Sequence, residues 1–422
     1  MAQLSDDCFA GAERLLTTSE ALDILSKQIL PIAGKEIVSL REAAGRILAA
    51  DVTSTIDVPQ HDNSAVDGYA VFFDDLDHER QTTLPVGGRA AAGHPLGRLA
   101  RRGEAIRIFT GAPMPAGPDT IMMQEDCVEV DGHVTIEPGI KQGANRRAAA
   151  EDVAAGHIVL KCGMRLRPQE IGLAAAVGCT ELKVFKRITA AVFSTGDEVA
   201  EPGEYLQEGK IYDSNRFTTI SALERLGCIV DDFGILPDRS EEIGVAIRKA
   251  ADNHDVLVTS GGMSVGEEDH VRQIVATNGA LHFWRLAIKP GRPVLLGQVR
   301  AGTHTAAVVG LPGNPVAAMV TFILIGRPLI LRLGGAVNIQ PAVYRVPADF
   351  IHRKKKNRRE FVRARLDLDE DGVRRARKFG ASGAGILSSL VGADGLVALP
   401  EDMTHLDRGS MVDFLPFNEV LT

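Results

Sequence analysis

Cysteine is scarce in this sequence. The five present (Cys8, Cys127, Cys162, Cys179 and Cys228) are scattered through 422 residues, odd in number and without C-x-x-C spacing. That pattern excludes a disulfide framework and a cysteine-based zinc site, and predicts free thiols in a reducing cytoplasm. Long apolar runs are missing as well. The longest, residues 316–325, falls far short of the ~20 residues that a membrane helix needs. The 11 histidines show no H-E-x-x-H spacing, so catalytic zinc is not expected. Basic charge is not in excess: 47 Lys and Arg against 55 Asp and Glu leave a net charge of −8, which disfavours general nucleic-acid binding. Residues 1–13 lack a basic n-region and an apolar h-region, so no secretory leader is expected.

What is present is an ordinary globular composition, 45% hydrophobic and 24% charged. The length suggests about three domains at ~150 residues each. With 43 Gly and 20 Pro, the chain is rich in turn formers, as β-rich modules with tight turns require. Residues 1–50 read as two helices, opened by the capping boxes Thr17-Thr18-Ser19-Glu20 and Ser39-Leu40-Arg41-Glu42. From 51 to about 147 the pattern is that of a small β-module, with strands predicted over 105–109, 120–124 and 133–136. Residues 188–333 alternate strands with helices. Strands are predicted over 188–193, 228–236, 256–259 and 306–309, and helices over 215–226, 240–251 and 269–277. Strands apolar on both faces between helices indicate a parallel sheet covered on both sides. Beyond about 334 the chain returns to short strands and turns. There, 353–378 holds twelve Lys and Arg against five Asp and Glu.

In open α/β sheets, ligands bind beyond the carboxyl ends of the strands. Three Gly-rich loops fall there: Ser194-Thr195-Gly196-Asp197-Glu198, the run from Ser260-Gly261-Gly262 through Ser264 to Asp269, and Gly310-Leu311-Pro312-Gly313-Asn314-Pro315. Glycine lets backbone N–H groups approach an anion, and the acids Glu198 and Asp269 face a phosphate without repulsion only when a hard cation such as Mg²⁺ intervenes. The bland alternative is tight turns with solvated acids. Nearby, Ile288-Lys289-Pro290-Gly291-Arg292-Pro293, preceded by Trp284-Arg285, puts three cations on a proline-stiffened loop. Such a loop suits a dianion, because little ordering entropy is lost on binding. By composition alone, the string at 61–70 is either a capped turn or a site, that at 107–113 resembles a strand ending in a hydroxyl-bearing turn, and the structural reading is favoured for both. Gly262-Met263-Ser264-Val265-Gly266 matches the G-x-S-x-G nucleophile elbow, but no helix can start directly after the serine and no acid-then-His context follows, so serine hydrolysis is rejected.

Taken in order, these strings resemble those of the molybdopterin molybdenumtransferases, the type that includes the E-domain of gephyrin. The strings are Asp62-Asn63-Ser64-Ala65-Val66-Asp67-Gly68-Tyr69-Ala70, Thr110-Gly111-Ala112-Pro113, the loop ending in Glu198, Asp213-Ser214-Asn215, the run Ser260 to His270, Lys289-Pro290-Gly291 and Gly310 to Pro315. The resemblance spans about residues 19–417. It implies a multidomain α/β plus β fold: a helical and extended dimerisation unit (1–53 and 148–187), an inserted β-module (54–147), a molybdopterin-binding-like α/β domain (188–333) and a C-terminal β-barrel-like domain (334–422). It implies insertion of molybdate into adenylylated molybdopterin with Mg²⁺-dependent release of AMP, in the cytoplasm. It also implies a homodimer whose cleft is shared between subunits, with molybdopterin adenylyltransferase and molybdoenzyme apoproteins as partners and neither nucleic acid nor membrane. By position, catalytic roles fall on Asp62, Asp67, Thr110, Asp152, Glu198, Asp238, Asp269 and Lys289. Substrate contacts fall on Ser260, Gly261, Gly262, Ser264, Arg285, Arg292, Pro293, Pro312, Gly313, Asn314 and Arg363. Glu198 and Asp269 are the implied metal ligands.

Several positions depart from the pattern. Arg285 and Arg292 stand where Lys is common, and Ala150 where Gly is usual before Glu151-Asp152. Ala317 and Ala384 replace common serines. At about 1 kcal/mol per lost hydrogen bond, affinity for molybdate falls several-fold. Two rival readings follow. One is a scaffold that keeps the fold and has lost insertion. The other is nucleic-acid binding through 353–378, although only Phe361 and Phe379 offer base stacking there.

Overall fold

The computed structural model describes residues 15–261, 270–380 and 383–420. Gly262, Ser264 and Asp269 therefore lie outside the described residues, as does Cys8. The chain forms two compact units. One comprises Met1–Ala50, Gly163–Leu166 and Lys183–Thr422, and the other Asp51–Cys162 and Arg167–Leu182.

In the larger unit the first described helix is α1 (Thr18–Gln28), capped as the sequence predicts: Glu20 N–H donates to Thr17 Oγ1 at 3.2 Å and Thr17 N–H to Glu20 Oε2 at 2.8 Å. The box at Ser39 behaves differently. Its hydrogen bonds form, with Ser39 Oγ donating to Glu42 Oε2 at 2.7 Å, but it closes one turn at the end of strand Lys35–Ser39 and no helix follows. The Gly45 N–H donates out of the segment to Leu166 O at 2.7 Å, which pulls the backbone off a helical path. A capping box supplies only end groups, and a helix also needs a face to pack.

The central sheet contains β1 (Thr189–Thr195), β2 (Ile229–Leu236), β3 (Val256–Ser260), β4 (Gly279–Leu286), β5 (Pro293–Ala301) and β6 (His304–Leu311). Its order is Leu15–Leu16, β4, β5, β6, β3, β1, β2. The four strands read from the sequence, β2, β1, β3 and β6, run parallel as expected. The added strands β4 and β5 make antiparallel ladders with each other and with β6, so the whole sheet is mixed. Periodicity explains the burial. Ala190 and Val192 enter one apolar cluster with α1, helix α2 (Asn215–Arg225) and helix α5 (Pro315–Leu333). Ala191 and Phe193 enter the other with helices α3 (Ser240–Asn253) and α4 (His270–Asn278). Gly227 follows α2 at φ +89, the left-handed stop that the sequence suggests. Helix α5 is apolar and long enough to cross a bilayer by composition, yet 89% of its most apolar window is buried inside the protein. It is a core helix.

The C-terminal strands form a six-stranded sheet built around β7 (Arg359–Leu368), with β8 (Arg374–Lys378) and strands Gly395–Leu399, Met411–Pro416 and Tyr344–Pro347. The short strand Ile288–Lys289 joins it in parallel with β7. This ties the proline-stiffened loop to the C-terminal sheet. Burial pushes the Cys228 thiol up to about 12 and the Cys127 thiol up to about 11, and neither pairs.

The second unit carries a six-stranded sheet in the order Thr120–Met123, Gly68–Val71, Ala105–Ile108, Thr82–Ala90, His133–Ile136, Cys127–Val130. Ala150 holds φ +60 there, a left-handed value that costs an L-residue ~1 kcal/mol. Ala150→Gly removes that strain and adds some freedom to the unfolded chain. The expected net effect is stabilisation of about 0.5 kcal/mol in urea unfolding, and a clearly destabilised variant would contradict the strain.

Candidate active site

The parallel strands end together. In register, Thr195 pairs Leu236, Ser194 pairs Ser260, and Ser260 pairs Leu311, so the loops after β1, β2, β3 and β6 leave one sheet edge. They are packed tightly. A Cβ on Gly261 would lie 2.7 Å from the Thr195 carbonyl oxygen. Asn215, at the start of α2, donates from Nδ2 to Gly313 O at 2.7 Å and fixes the loop after β6.

Beside this edge lies a cavity of about 590 Å³. Its walls come from three sources. Gly261, Pro312, Gly313, Asn314 and Ala317 come from the sheet edge and α5, and 289–293 from the stiffened loop. His352, residues 360–363, Lys378, Phe379 and Ala384 come from the C-terminal region. Among the described residues, Lys289, Arg292, Arg363 and Lys378 bring four cations to the wall, and Glu360 one carboxylate. A cleft with mostly apolar walls and converging cations binds a small anion with little competition from water. Arg363 is buried. It donates from Nε to Ser389 Oγ at 3.0 Å and from Nη2 to Gly383 O at 3.1 Å, while burial lowers its guanidinium from the ordinary value. The apolar side chains of Ala317 and Ala384 offer no hydroxyl to this cavity.

Gly291 holds the cationic loop in shape. Its φ is +91, and a Cβ there would meet Thr321 Oγ1 at 2.6 Å and Ala317 O at 3.0 Å. Gly291→Ala is expected to destabilise the protein by about 1–3 kcal/mol in urea unfolding. An unchanged midpoint would refute this packing.

Of the residues singled out by sequence, Gly261, Lys289, Arg292, Pro293, Pro312, Gly313, Asn314 and Arg363 meet in the cavity. Arg285 does not line it. It is exposed on β4, paired in register with Pro293. Ser260 is buried and faces Ser194, with the two Oγ atoms 3.4 Å apart. Glu198 and Asp238 follow β1 and β2 on the same edge, outside the cavity wall. Among the described residues neither carboxylate takes a hydrogen bond or ion pair, and no three His, Cys, Asp or Glu side chains gather in metal-binding reach. Free carboxylate oxygens suit Mg²⁺, which commonly binds through one or two carboxylates plus substrate phosphates.

The second unit holds the remaining residues. Asp67 Oδ1 accepts from Thr110 N and Thr110 Oγ1, each at 2.8 Å, because strands Gly68–Val71 and Ala105–Ile108 pair Gly68 with Ile108. Those two bonds hold the Asp67 carboxyl below the usual carboxylate range. Asp62 Oδ1 accepts from Ala149 N at 2.8 Å, and Asp62 Oδ2 lies 3.5 Å from Arg146 Nη1. Asp152 is exposed, and its N–H donates to Val58 O at 3.0 Å.

Sequence reading passed over His352, Glu360 and Lys378. His352 just precedes the cationic segment and the other two lie in it, where the only hint is that Glu360 stands apart from the other four acids, between Arg359 and Phe361. Many cations of that segment are engaged internally. Arg359 pairs with Glu401 at 3.2 Å, Arg377 with Asp349 at 3.2 Å, and the Lys354 ammonium donates to Pro400 O and Met403 O at 2.7 Å each. This weakens the nucleic-acid reading.

Comparison with known proteins agrees with this architecture. Three family models match: the MoeA N-terminal region (domain I and II) over residues 16–178, a probable molybdopterin binding domain over 191–332, and the MoeA C-terminal region (domain IV) over 345–417. A Haemophilus influenzae protein named molybdopterin molybdenumtransferase is 38% identical over 409 residues, covering 96% of this chain and all of its own length. A Nostoc protein of the same name is 38% identical over 385 residues, covering 89% of this chain and 87% of its own. The crystal structure of a molybdopterin biosynthesis MoeA protein from Pyrococcus horikoshii superposes with a TM-score of 0.80 at 29% identity, covering 96% of this chain and 100% of that one. The chain belongs to the molybdopterin molybdenumtransferase family.

Proposed function

We propose that this chain inserts molybdenum from molybdate into adenylylated molybdopterin and releases AMP, in an Mg²⁺-dependent reaction of molybdenum cofactor biosynthesis. The observation that carries this reading is the cavity where Lys289, Arg292 and Arg363 converge beside the Gly-rich sheet edge. Its cations hold a tetrahedral dianion, and the backbone at Gly261 and Gly313 leaves room for it to approach. Glu198, joined by Asp269 on sequence grounds, would hold Mg²⁺ at the phosphoanhydride, with Asp238 as a further catalytic acid of the same edge. The ion, when bound, neutralises charge on phosphate oxygens and polarises the bond that breaks. Asp62, Asp67, Thr110 and Asp152 take catalytic roles in the same proposal. The same proposal includes the four-part division of the chain, a cytoplasmic homodimer with a shared cleft, supply of substrate by an adenylyltransferase, and delivery of product to molybdoenzyme apoproteins.

The test is to incubate purified protein with adenylylated molybdopterin, Mg²⁺ and molybdate, and to measure AMP and molybdenum-loaded pterin together. Molybdate-dependent release of both is expected. Tight pterin-nucleotide binding with no product would favour the scaffold reading, which the apolar Ala317 and Ala384 side chains motivate.

A further inference from the structure

Among the described residues the cavity wall contains one acid among four cations, and its position is unusual for an anion site. Glu360 is 3% exposed, and both its carboxylate oxygens are engaged. Oε1 accepts from Arg358 Nη2 at 2.7 Å and Nε at 3.1 Å, and lies 3.6 Å from Lys289 Nζ. Oε2 lies 3.0 Å from His352 Nε2. The other ring nitrogen, His352 Nδ1, lies 3.4 Å from Lys378 Nζ. Strand register builds this arrangement. Lys289 pairs Glu360 across the parallel ladder, and Lys378 pairs Ala364 across the antiparallel one.

Proton bookkeeping then settles the imidazole. An ammonium group has only donors, so His352 Nδ1 is the acceptor. That assignment leaves Nε2–H to donate to Glu360 Oε2 at 3.0 Å. Burial pushes the Glu360 carboxyl up, but His352, Lys289 and Arg358 together more than reverse this and keep it ionised.

We propose that Glu360 is the positioning residue of the cationic lobe: its buried carboxylate orients Lys289 directly, and Lys378 through the His352 ring, so that both ammonium groups face a tetrahedral dianion. The proposal rests on the reading of the cavity as an oxyanion site, and it adds Lys378 as a binding group of that site. A free lysine carries large rotamer entropy, and a tether that fixes it beforehand removes that cost from binding.

The proposal makes a prediction opposite to simple electrostatics. Deleting a negative charge from an anion cavity should tighten anion binding by Coulomb's law alone. If Glu360 positions cations, Glu360→Gln weakens binding. The experiment titrates full-length wild type, Glu360→Gln, His352→Gln, His352→Leu and Lys378→Met with molybdate by calorimetry, with thermal melts run in parallel. Glu360→Gln is expected to bind about tenfold more weakly, and Lys378→Met and His352→Leu several-fold more weakly. His352→Gln, which keeps one donor and one acceptor, should retain most of the affinity. Nitrogen NMR of His352 should show the Nε2–H tautomer. Equal or tighter binding by Glu360→Gln, or an Nδ1–H tautomer, would overturn the proposal. If Glu360→Gln does not fold, wild-type affinity in both Lys378→Met and His352→Leu overturns it equally. Wild type that binds no molybdate would instead remove the oxyanion reading of the cavity, and this proposal with it.

Discussion

Alanine at Arg363 is expected to lower molybdate-dependent product formation at least about a hundredfold, the scale seen when a preorganised charged donor is removed from a dry site. Arg363 lines the cavity from β7, and its guanidinium is already anchored by Ser389 Oγ and Gly383 O. Little reorganisation remains when an anion arrives, so most of the interaction appears as binding. Steady-state kinetics should place much of the loss in KM for molybdate. The fold should survive, because Ser389 Oγ still donates to Ile386 O at 2.5 Å. Arg363→Lys keeps charge without the planar fork, and should fall between wild type and alanine. Wild-type kinetics in Arg363→Ala would remove the residue from the site.

Glu198→Gln should act on a different step. Its carboxylate is exposed beyond β1 and takes no hydrogen bond or ion pair among the described residues. Glutamine preserves shape and removes the charge that suits a hard cation. AMP release at fixed Mg²⁺ is expected to drop about a hundredfold or more, with partial recovery at high Mg²⁺. Calorimetric affinity for molybdate should stay within about twofold of wild type, because Glu198 is not on the cavity wall. Asp269→Ala should give the same pattern. If Glu198→Gln loses molybdate affinity and keeps its Mg²⁺ response, the division of labour between sheet edge and cavity is wrong.

Much of this organisation is legible in the residues themselves. The run 188–193 is largely apolar on both faces, which a strand covered by helices requires, and glycine-rich loops mark where three of the four parallel strands end. The Thr17 capping box opens a real helix because Ala21, Leu25 and Ile29 have a core to enter. The equally good box at Ser39 has no such face and closes a single turn. Strands β4 and β5 escape sequence reading for another reason. Residues 279–301 are read for their cations and prolines, and short apolar runs beside them do not declare their partner or direction. Glu360 is hidden for a third reason. Its role depends on Lys289, 71 positions earlier in the chain, and only the parallel pairing of strand Ile288–Lys289 with β7 brings the two together. The Asp67–Thr110 contact is of the same kind, made by strand register across 43 positions. Local chemistry is readable along the chain, whereas ladders that pair distant segments carry no local mark.

The central claim is that Lys289, Arg292 and Arg363 enclose the seat of a tetrahedral oxyanion. Anomalous diffraction at the molybdenum edge, from crystals equilibrated with molybdate, tests it most directly. One dominant peak is expected about 4 Å from the nitrogen atoms of those three side chains, so that the oxyanion oxygens fall within hydrogen-bonding reach. A molybdenum peak seated elsewhere on the molecule, with this cavity empty, would contradict it.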